Sequence, residues 1–459
     1  MTNALLPVFG GPPGAHARTD GVFFRPLPWA IGVGAVLFTI LYLRHLPCLT
    51  TDPANPIDAY IRLCYSDIPT AYVWQGWASG GSPLGGTELT LAPMLAVLVW
   101  ASLGLARLLG ADIGPSASEA EQYAGVPAFF GATAILLFAA FLVLVIASSV
   151  IAARQGRPWS IMLVAASPVV LAAGLLSWDL AGLALTALGM CALAVGRNLE
   201  AGLLLALAAS MATTPLAFAL AVVVALGARR HWARLGVFTG AFVPTWILAH
   251  LPFAIRNFDA VYGYYHGQVT QEISYGSFWF LLREQGVPLR EFGAFVTVLV
   301  VLLIAVLIAW IYVTGRRPRV GSLAAAFVLV IVVLAPAYPP QLSLWVLFAL
   351  FLARPGSPLI WGWSAVAALH YLAVWGWLSG HLTVELHGPE LLYYLAVLVR
   401  MVAEVGMFVV VLGGLSRPAA DPLLGDDDAV AVPERAVAVP PMRPDDFAEA
   451  PPAPRRAAL

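Results

Sequence analysis

The chain has 459 residues, of which 60% are hydrophobic and 11% are charged, and its mean hydropathy is +0.85. Soluble domains carry about 25% charged residues, so this composition excludes an ordinary soluble protein. It indicates an integral membrane protein. The formal net charge of −1 gives no reason to expect a nucleic acid as a partner.

The two ends of the chain differ from its middle. Residues 1–26 are polar and rich in Pro and Gly, and no small-residue cleavage site follows the first apolar run. We therefore expect an uncleaved first helix after a cytoplasmic N-terminal segment. Residues 416–459 are rich in Pro, Ala, Asp and Arg and are predicted to be a disordered cytoplasmic tail. The transmembrane domain then occupies residues 27–415.

Arginine clusters between the apolar runs give the orientation, because basic residues favour the cytoplasmic side. With each cluster inside, the turns between them lie outside, and the two largest outer loops are 47–124 and 253–289. The prediction is an all-α bundle of roughly twelve transmembrane helices, with both termini inside. The predicted spans are 27–46, 125–153, 158–176, 180–196, 199–212, 215–228, 232–252, 290–314, 320–336, 341–354, 358–378 and 391–415.

Two parts of this topology have alternatives. Residues 89–109 are apolar enough to cross, but a crossing there would invert every later span, so we expect an interfacial helix in the first outer loop. The spans 199–212 and 341–354 are shorter than the roughly 20 residues of a full crossing. One long helix over 199–228 is the alternative, and it would move Asp179 to the inside.

The first outer loop contains acidic and aromatic residues together. The run from Tyr60 to Tyr72, with Tyr65 and Asp67 inside it, predicts a short amphipathic helix that ends in a turn at Pro69. Asp58 precedes this run. A carboxylate at a membrane surface is costly unless it is paired or used, so Asp58 and Asp67 are candidate site residues. Cys48 and Cys64 fall in the same loop; they either form a disulfide in an oxidising compartment or remain unpaired.

The other predicted outer turns add polar groups. Asp179 either caps the following helix or belongs to a site. The loop 253–289 combines aromatic rings with basic groups, which suits a sugar or a phosphate; the alternative is a solvated loop. Its candidate residues are Arg256, His266, Tyr275, Trp279 and Arg283. Tyr338 and Gln341 flank a Pro pair that breaks a helix. His381, Glu385 and His387 have a spacing that would suit a metal, but such a triplet is a weak signal.

Taken in order, these motifs resemble the membrane mannosyltransferases of glycosyltransferase family 87, within the GT-C superfamily, and most closely its actinobacterial members. A Lys-free composition rich in Ala and Arg agrees with such a source. The motifs are Cys64-Tyr-Ser-Asp67-Ile-Pro, Ser167-Pro168 followed by Ser177-Trp178-Asp179-Leu180, Thr213-Thr214-Pro215, Leu251-Pro252, Tyr275-Gly276-Ser277-Phe278-Trp279 and Tyr338-Pro339-Pro340-Gln341-Leu342-Ser343-Leu344-Trp345.

The resemblance implies a GT-C-like fold and a polyprenyl-phosphate sugar as the donor, with mannose favoured over arabinose. It implies an envelope glycolipid, polysaccharide or protein as the acceptor, and a site that faces the outside of the plasma membrane. By the family pattern Asp67 is the general base. By their position in the outer loop, Arg256, His266 or Arg283 would hold the departing phosphate. No cofactor follows with certainty from the sequence, and a divalent metal stays open as an unsupported alternative. Membrane lipids are the remaining partners.

A departure from the family pattern and two other classes keep alternatives open. Family members carry a Lys before the position of Pro215, whereas Met211–Thr214 supplies no cation. A catalytically inactive homologue that serves as an envelope-assembly scaffold is one alternative. A transporter or flippase is the other, and it would require internal repeats and ionisable residues within the spans. Glu404 and His370 are examples of such residues.

Overall fold

The computed structural model describes residues 22–50, 57–83, 91–290, 292–384, 390–415 and 420–425, and within them the regular structure is helical, without strands. The N-terminal part contains α1 to α5, which are Pro26–His45, Ile57–Ile61, Asp67–Trp74, Pro93–Leu108 and Glu119–Ala124. It is followed by α6 to α12, which are Val126–Arg154, Met162–Ala165, Pro168–Ala173, Asp179–Ala194, Asn198–Ala209, Pro215–Ala228 and Trp232–Arg256. The C-terminal part contains α13 to α19, which are Phe258–Val269, Phe278–Glu284, Phe292–Val313, Val320–Leu334, Leu342–Ala353, Ser357–Leu378 and Glu390–Leu415.

This architecture confirms an all-α polytopic membrane protein. In the described part of the chain, six helical stretches are long and apolar enough to cross a membrane, namely Pro26–Cys48, Glu119–Arg154, Trp232–Arg256, Phe292–Val313, Ser357–Leu378 and Glu390–Leu415. Seven shorter apolar helical stretches accompany them. The short helices α9, α10, α11, α16 and α17 supply much of the buried core, so longer helices and protein contacts shield them from the surroundings.

Close packing of the short helices depends on small side chains. A Cβ atom on Gly202 of α10 would lie 2.5 Å from the carbonyl oxygen of Phe238 in α12, so only glycine allows this approach. Small residues play the same role where membrane helices contact one another. Proline begins three of the helices: Pro26, Pro93 and Pro215 are the first residues of α1, α4 and α11. Proline has no N–H, but the first N–H groups of a helix have no partner within the helix, so no hydrogen bond is lost there.

The turns gather at two ends of the bundle. We call the first the Asp67 end: it holds the segment 46–125 and the turns before α9, α11 and α17, together with the segment between α12 and α15. We call the second the arginine end: it holds the turns before α7, α10, α12, α16 and α18. At the Asp67 end, Asp67 N donates to Leu176 O and Ser274 N donates to Pro336 O. At the arginine end, Gln155 Nε2 donates to Leu352 O over 3.2 Å.

Helix α4 does not carry the chain between these ends. At its start, Met94 N donates to Ser210 O, beside the turn before α11. Just after its end, the side chain of Ala111 lies against Gly125, at the beginning of α6. Both ends of α4 therefore contact the Asp67 end. Trp100 and Leu108 remain more than half exposed, as expected of a helix that lies against lipid.

The structure contradicts two expectations and one of the alternatives. Residues 60–72 do not form one helix, because α2 ends at Ile61 and α3 begins at Asp67; Pro69 lies in the first turn of α3, where proline is tolerated. The single helix over 199–228 is absent, since α10 ends at Ala209 and α11 begins at Pro215. Finally, the predicted disordered tail includes an ordered piece at 420–425.

That ordered piece is held by specific contacts at the arginine end. Leu423 and Leu424 are almost fully buried. The Asp421 carboxylate accepts hydrogen bonds from Val320 N over 2.7 Å, at the start of α16, and from Leu423 N over 3.0 Å. Arg234 donates to Leu424 O over 2.8 Å. Six residues thus gain enough apolar burial and capping to offset the entropy of ordering them, which composition alone did not predict.

Candidate functional site

Asp67 is the first residue of α3, and its backbone is fixed to the turn between α8 and α9. Ser66 caps the helix by accepting a hydrogen bond from Ile68 N, and its hydroxyl donates to Leu175 O over 2.6 Å. The next backbone amide, Asp67 N, donates to Leu176 O over 2.8 Å. These bonds join segments more than 100 residues apart in the chain, so the position of the Asp67 carboxylate is determined by tertiary contacts.

The Asp67 carboxylate is partly buried and has a neutral hydrogen-bond partner. Gln341 Nε2 donates to Asp67 Oδ2 over 3.3 Å. Burial raises the pKa of Asp67 to about 6; the negative charge of Asp179 also raises it, whereas the polar side chains of Tyr65 and Gln341 lower it. Near neutral pH the group is therefore mostly ionised and still basic enough to accept a proton.

Asp179, the first residue of α9, is the second carboxylate of this site. Its oxygens accept hydrogen bonds from the Ser177 hydroxyl and from Trp345 Nε1, the latter over 2.6 Å. The side chain makes no capping bond to the helix backbone, so the capping role is wrong. The indole of Trp345 is fully buried, so it fixes Asp179 from the protein interior and leaves the carboxylate facing the same region as Asp67.

Aromatic rings form a wall beside Asp67. Tyr65 packs against Tyr60 and Trp375, with ring centroids 5.0 and 5.5 Å apart, and Tyr60 stacks on Trp375 at 5.4 Å. Tyr275 is also near this carboxylate: burial raises the pKa of its hydroxyl, and the Asp67 charge raises it further. Tyr60 and Trp375 were not among the predicted site residues. Trp375 lies in a span, and its sequence context gives no sign that it meets the first loop.

A buried ion pair holds two of the loops that shape the site. Arg400 and Glu404 are 1% and 0% exposed and lie 2.8 Å apart, one helical turn apart on α19. Arg400 donates to Gly276 O over 2.9 Å, and its guanidinium lies 3.5 Å from the ring centroid of Tyr338. The Tyr338 hydroxyl donates to Glu404 over 2.7 Å. Tyr338 is therefore enclosed by protein, and it anchors the Pro pair that leads to Gln341.

Gly276 is required where these loops meet. Its φ angle is +78°, and a Cβ atom there would overlap the carbonyl oxygen of Tyr338. Its N–H donates to the Tyr393 hydroxyl over 2.9 Å, and Tyr338 N donates to Tyr275 O over 3.1 Å. Arg400 and Glu404 were missed as site residues. The signal was available, since opposite charges at i and i+4 in an apolar helix form a pair.

The predicted basic groups are not brought to Asp67. Arg256 is exposed at the end of α12, and His266 is exposed on α13, where its ring packs against Tyr262 at 5.5 Å. Arg283 donates to Ile273 O over 2.8 Å, and Trp279 Nε1 donates to Leu334 O over 2.7 Å. Among the described residues, the charged group that shifts the pKa of Asp67 is Asp179 rather than an arginine.

Arg283 does line a separate cavity of about 460 Å³ beside the loop that leads to Tyr275. Its other polar lining residues include Thr270, Gln271, Glu272 and Arg290. Two guanidinium groups therefore border one cavity at the 270–273 segment.

The remaining predicted residues have other surroundings. Asp58 is exposed on α2, away from the partly buried carboxylates. Cys48 and Cys64 form a disulfide, which ties the segment before Asp67 to the end of α1. His381 lies beside the hydroxyl of Ser379 at 3.0 Å, whereas Glu385 and His387 lie outside the described residues. Within the described part of the chain there is no cluster of three or more potential metal ligands.

Fold and site together define a polytopic membrane protein with a carboxylate site among aromatic rings at one end of its bundle. The model of glycosyltransferase family 87 matches residues 121–336. This match confirms the family resemblance predicted from the motifs, and the family indicates a glycosyltransferase. The matched segment contains Asp179 and Tyr275 but not Asp67, so the role of Asp67 has to rest on geometry. No curated protein matches the chain at a significant level.

Proposed function

We propose that the chain transfers a sugar from a polyprenyl-phosphate donor to a cell-envelope acceptor, with inversion at the sugar carbon and with Asp67 as the general base. Mannose is the proposed sugar, by the family resemblance. The observation that carries the proposal is the Asp67 carboxylate, which is pinned by its backbone to Leu176, oriented by Gln341 and raised in pKa to about 6. A base with such a pKa suits proton abstraction near neutral pH.

The proposed step uses the residues around Asp67 as follows. The acceptor hydroxyl gives its proton to Asp67 while its oxygen attacks the anomeric carbon of the donor sugar. The bond from that carbon to the donor phosphate breaks, and polyprenyl phosphate leaves with the electron pair. The transition state has oxocarbenium character, so the negative charges of Asp67 and Asp179 favour it. The rings of Tyr60, Tyr65 and Trp375 offer an apolar face for a sugar.

The donor phosphate needs a cation, and among the three predicted candidates we keep Arg283, although the described structure does not place it beside Asp67. Its guanidinium borders the cavity of about 460 Å³ together with Arg290, and arginine pairs bind phosphate through forked hydrogen bonds. Arg256 and His266, the two other predicted candidates, are exposed on α12 and α13.

We further propose that the Asp67 end faces the outside of the plasma membrane. The turns of the arginine end hold Arg157, Arg229, Arg319 and Arg354, as expected of a cytoplasmic face. The Cys48–Cys64 disulfide lies at the opposite end, where an oxidising compartment favours it. The transmembrane domain of this proposal is residues 27–415, with 1–26 and 416–459 in the cytoplasm.

The proposal is tested by transfer of labelled sugar from polyprenyl-phosphomannose to envelope acceptors in membranes that contain the full chain. We expect Asp67→Asn to reduce transfer by about 10²- to 10⁴-fold, the usual contribution of a general base. Asp58→Asn removes an exposed carboxylate from the same loop and should leave transfer unchanged. A folded Asp67→Asn variant that transfers normally would reject Asp67 as the base.

The same assay separates the sugar from the chemistry. A polyprenyl-phosphoarabinose donor is run beside the mannose donor. Transfer from the arabinose donor alone, lost in Asp67→Asn, would keep the base and overturn mannose as the sugar. An absence of transfer from either donor, with the protein folded, would favour the inactive-scaffold or transporter alternatives.

A further inference from the structure

Three arginines from three separate turns converge at the arginine end. They are Arg157 in the turn before α7, Arg319 in the turn before α16 and Arg354 in the turn before α18. The Leu352 carbonyl is their meeting point: Gln155 Nε2 donates to it, and a Cβ atom on Gly321 would overlap it. Arg157, Arg319 and Arg354 are each two residues from Gln155, Gly321 and Leu352, respectively. The contacts among those three residues therefore bring the three arginine-bearing turns together.

These three guanidinium groups are not neutralised by the described structure. In residues 22–425, with the gaps given above, none of the three has a hydrogen-bond or ion-pair partner for its side chain, and Nε of Arg319 and of Arg354 is buried. Burial lowers the pKa of Arg354, and the charges of Arg157 and Arg319 lower it further. Positive charge is therefore concentrated here without a counterion.

Other polar groups of the same end are already used. Arg229 donates to the carbonyl oxygens of Pro318 and Arg317. Among the described acidic residues of this end, Glu200 is paired with Arg197 over 2.7 Å, and Asp421 accepts from the amides of Val320 and Leu423. Some arginines in these turns thus find partners, whereas Arg157, Arg319 and Arg354 have none among the described residues.

A cavity of about 480 Å³ opens beside the cluster. Its lining includes Arg157, Trp159, Ser160, Ser357 and Trp361. The Ser160 hydroxyl is buried without a hydrogen-bond partner. Ser357 is the first residue of α18, so free backbone N–H groups of a long helix face this region. Trp159 and Trp361 are 50% and 37% exposed, the arrangement of tryptophans at a membrane–water interface.

We infer that this cavity binds the phosphate group of an anionic membrane lipid. Guanidinium groups and a helix N-terminus both favour phosphate oxygens, and the two indoles lie where lipid headgroups meet the hydrocarbon. The neighbouring helices α6 and α18 are among those long enough to cross the membrane, so the acyl chains have a bilayer beside the cavity. The site is at the opposite end from Asp67 and takes no part in the proposed transfer.

The test is native mass spectrometry of the purified full chain in detergent, titrated with phosphatidylglycerol, phosphatidylcholine or inorganic phosphate. We expect the wild-type chain to retain phosphatidylglycerol in preference to phosphatidylcholine. The variant Arg157→Gln/Arg354→Gln should bind phosphatidylglycerol more weakly by on the order of tenfold. Arg25→Gln removes an exposed charge before α1 at the same end and should bind as the wild type does.

Three results would overturn the inference. The double variant could bind phosphatidylglycerol as tightly as the wild type does. Arg25→Gln could weaken binding equally, which would indicate diffuse attraction to a basic surface. Inorganic phosphate could bind alone and displace the lipid, which would assign the cavity to a soluble phosphate. Thermal unfolding checks that the double variant is folded. If it is not, the single variant Arg157→Gln, at an exposed position, is titrated with the lipids in its place.

Discussion

The two ends of the bundle use their polar groups in different ways. At the arginine end, several charged side chains bond to the backbone: Arg229 and Arg234 donate to backbone carbonyls, and Asp421 caps α16. At the Asp67 end, the carboxylates of Asp67 and Asp179 accept hydrogen bonds from neutral side chains and stay without a described cation. The first arrangement satisfies backbone groups, whereas the second leaves reactive oxygens oriented in a partly buried place.

This difference suggests that the arginine end mainly stabilises the fold and that the Asp67 end carries the chemistry. Hydrogen bonds from charged side chains to backbone carbonyls are strong and complete, so the arginine end is built for structure, apart from the Arg157, Arg319 and Arg354 cluster. Two carboxylates close enough to affect one another store unfavourable electrostatic energy, which a fold keeps only where it has a use. Changes at the Asp67 end should therefore affect transfer, and changes at the arginine end should affect unfolding.

The largest expected effect is on the pH dependence of transfer. Asp67 acts as a base only when ionised, and its pKa is raised to about 6, so transfer should fall about tenfold per pH unit below that value. Gln341→Ala removes a hydrogen bond that lowers this pKa, so its acidic limb should lie at higher pH. Initial transfer rates of the wild type and of Gln341→Ala, measured from about pH 4 to about pH 8, test the acidic limb and its shift. An acidic limb that does not move in Gln341→Ala would contradict the assigned contact.

The next effect concerns the ion pair behind the site. Arg400→Leu leaves the Glu404 carboxylate buried without its partner, so we expect a loss of about 3–5 kcal/mol in the free energy of unfolding. The double variant Arg400→Leu/Glu404→Leu leaves no buried charge and should be less destabilised than Arg400→Leu. Thermal unfolding followed by tryptophan fluorescence measures the difference. Equal losses in the two variants would show that the pair acts through packing rather than charge.

Removal of the disulfide before Asp67 should cause a smaller loss in the free energy of unfolding. Cys48 and Cys64 close a loop with a sequence separation of 16, so Cys48→Ser/Cys64→Ser should cost about 3 kcal/mol. Cys191→Ser changes the free, half-buried thiol and should leave unfolding and transfer nearly unchanged. Both are compared by thermal unfolding with and without reductant. A wild-type unfolding temperature that is insensitive to reductant would contradict a stabilising role for the disulfide.

The smallest effect is predicted at the arginine end. Asp421→Ala removes the cap of α16, and loss of such a cap costs about 1 kcal/mol. Since Asp421 lies at the end opposite to Asp67, transfer by the folded variant should equal that of the wild type. A variant that unfolds normally but transfers slowly would break the division between the ends, because the two would then have to be coupled.

The helices and their alternation between ends were predictable, because apolar length and the placement of arginine are local properties of the chain. The breaks between the predicted spans after residues 176, 212 and 336 lie close to the breaks before α9, α11 and α17 in the structure. Asp67, Asp179 and Gln341 were also predicted to share one face. The sequence did not show that Asp179 would bond Trp345 instead of its own helix, since that contact spans 166 residues.

Composition and periodicity by themselves determined an all-helical membrane protein with its acidic and aromatic loops on one side. They did so because the cost of burying charge in a bilayer acts residue by residue. Only the tertiary structure decided that Gln341 holds Asp67, that Arg400 and Glu404 lock Tyr338, and that residues 420–425 are ordered. Those contacts depend on which helices pack together, and that is settled by shape and hydrogen bonding between segments far apart in the chain.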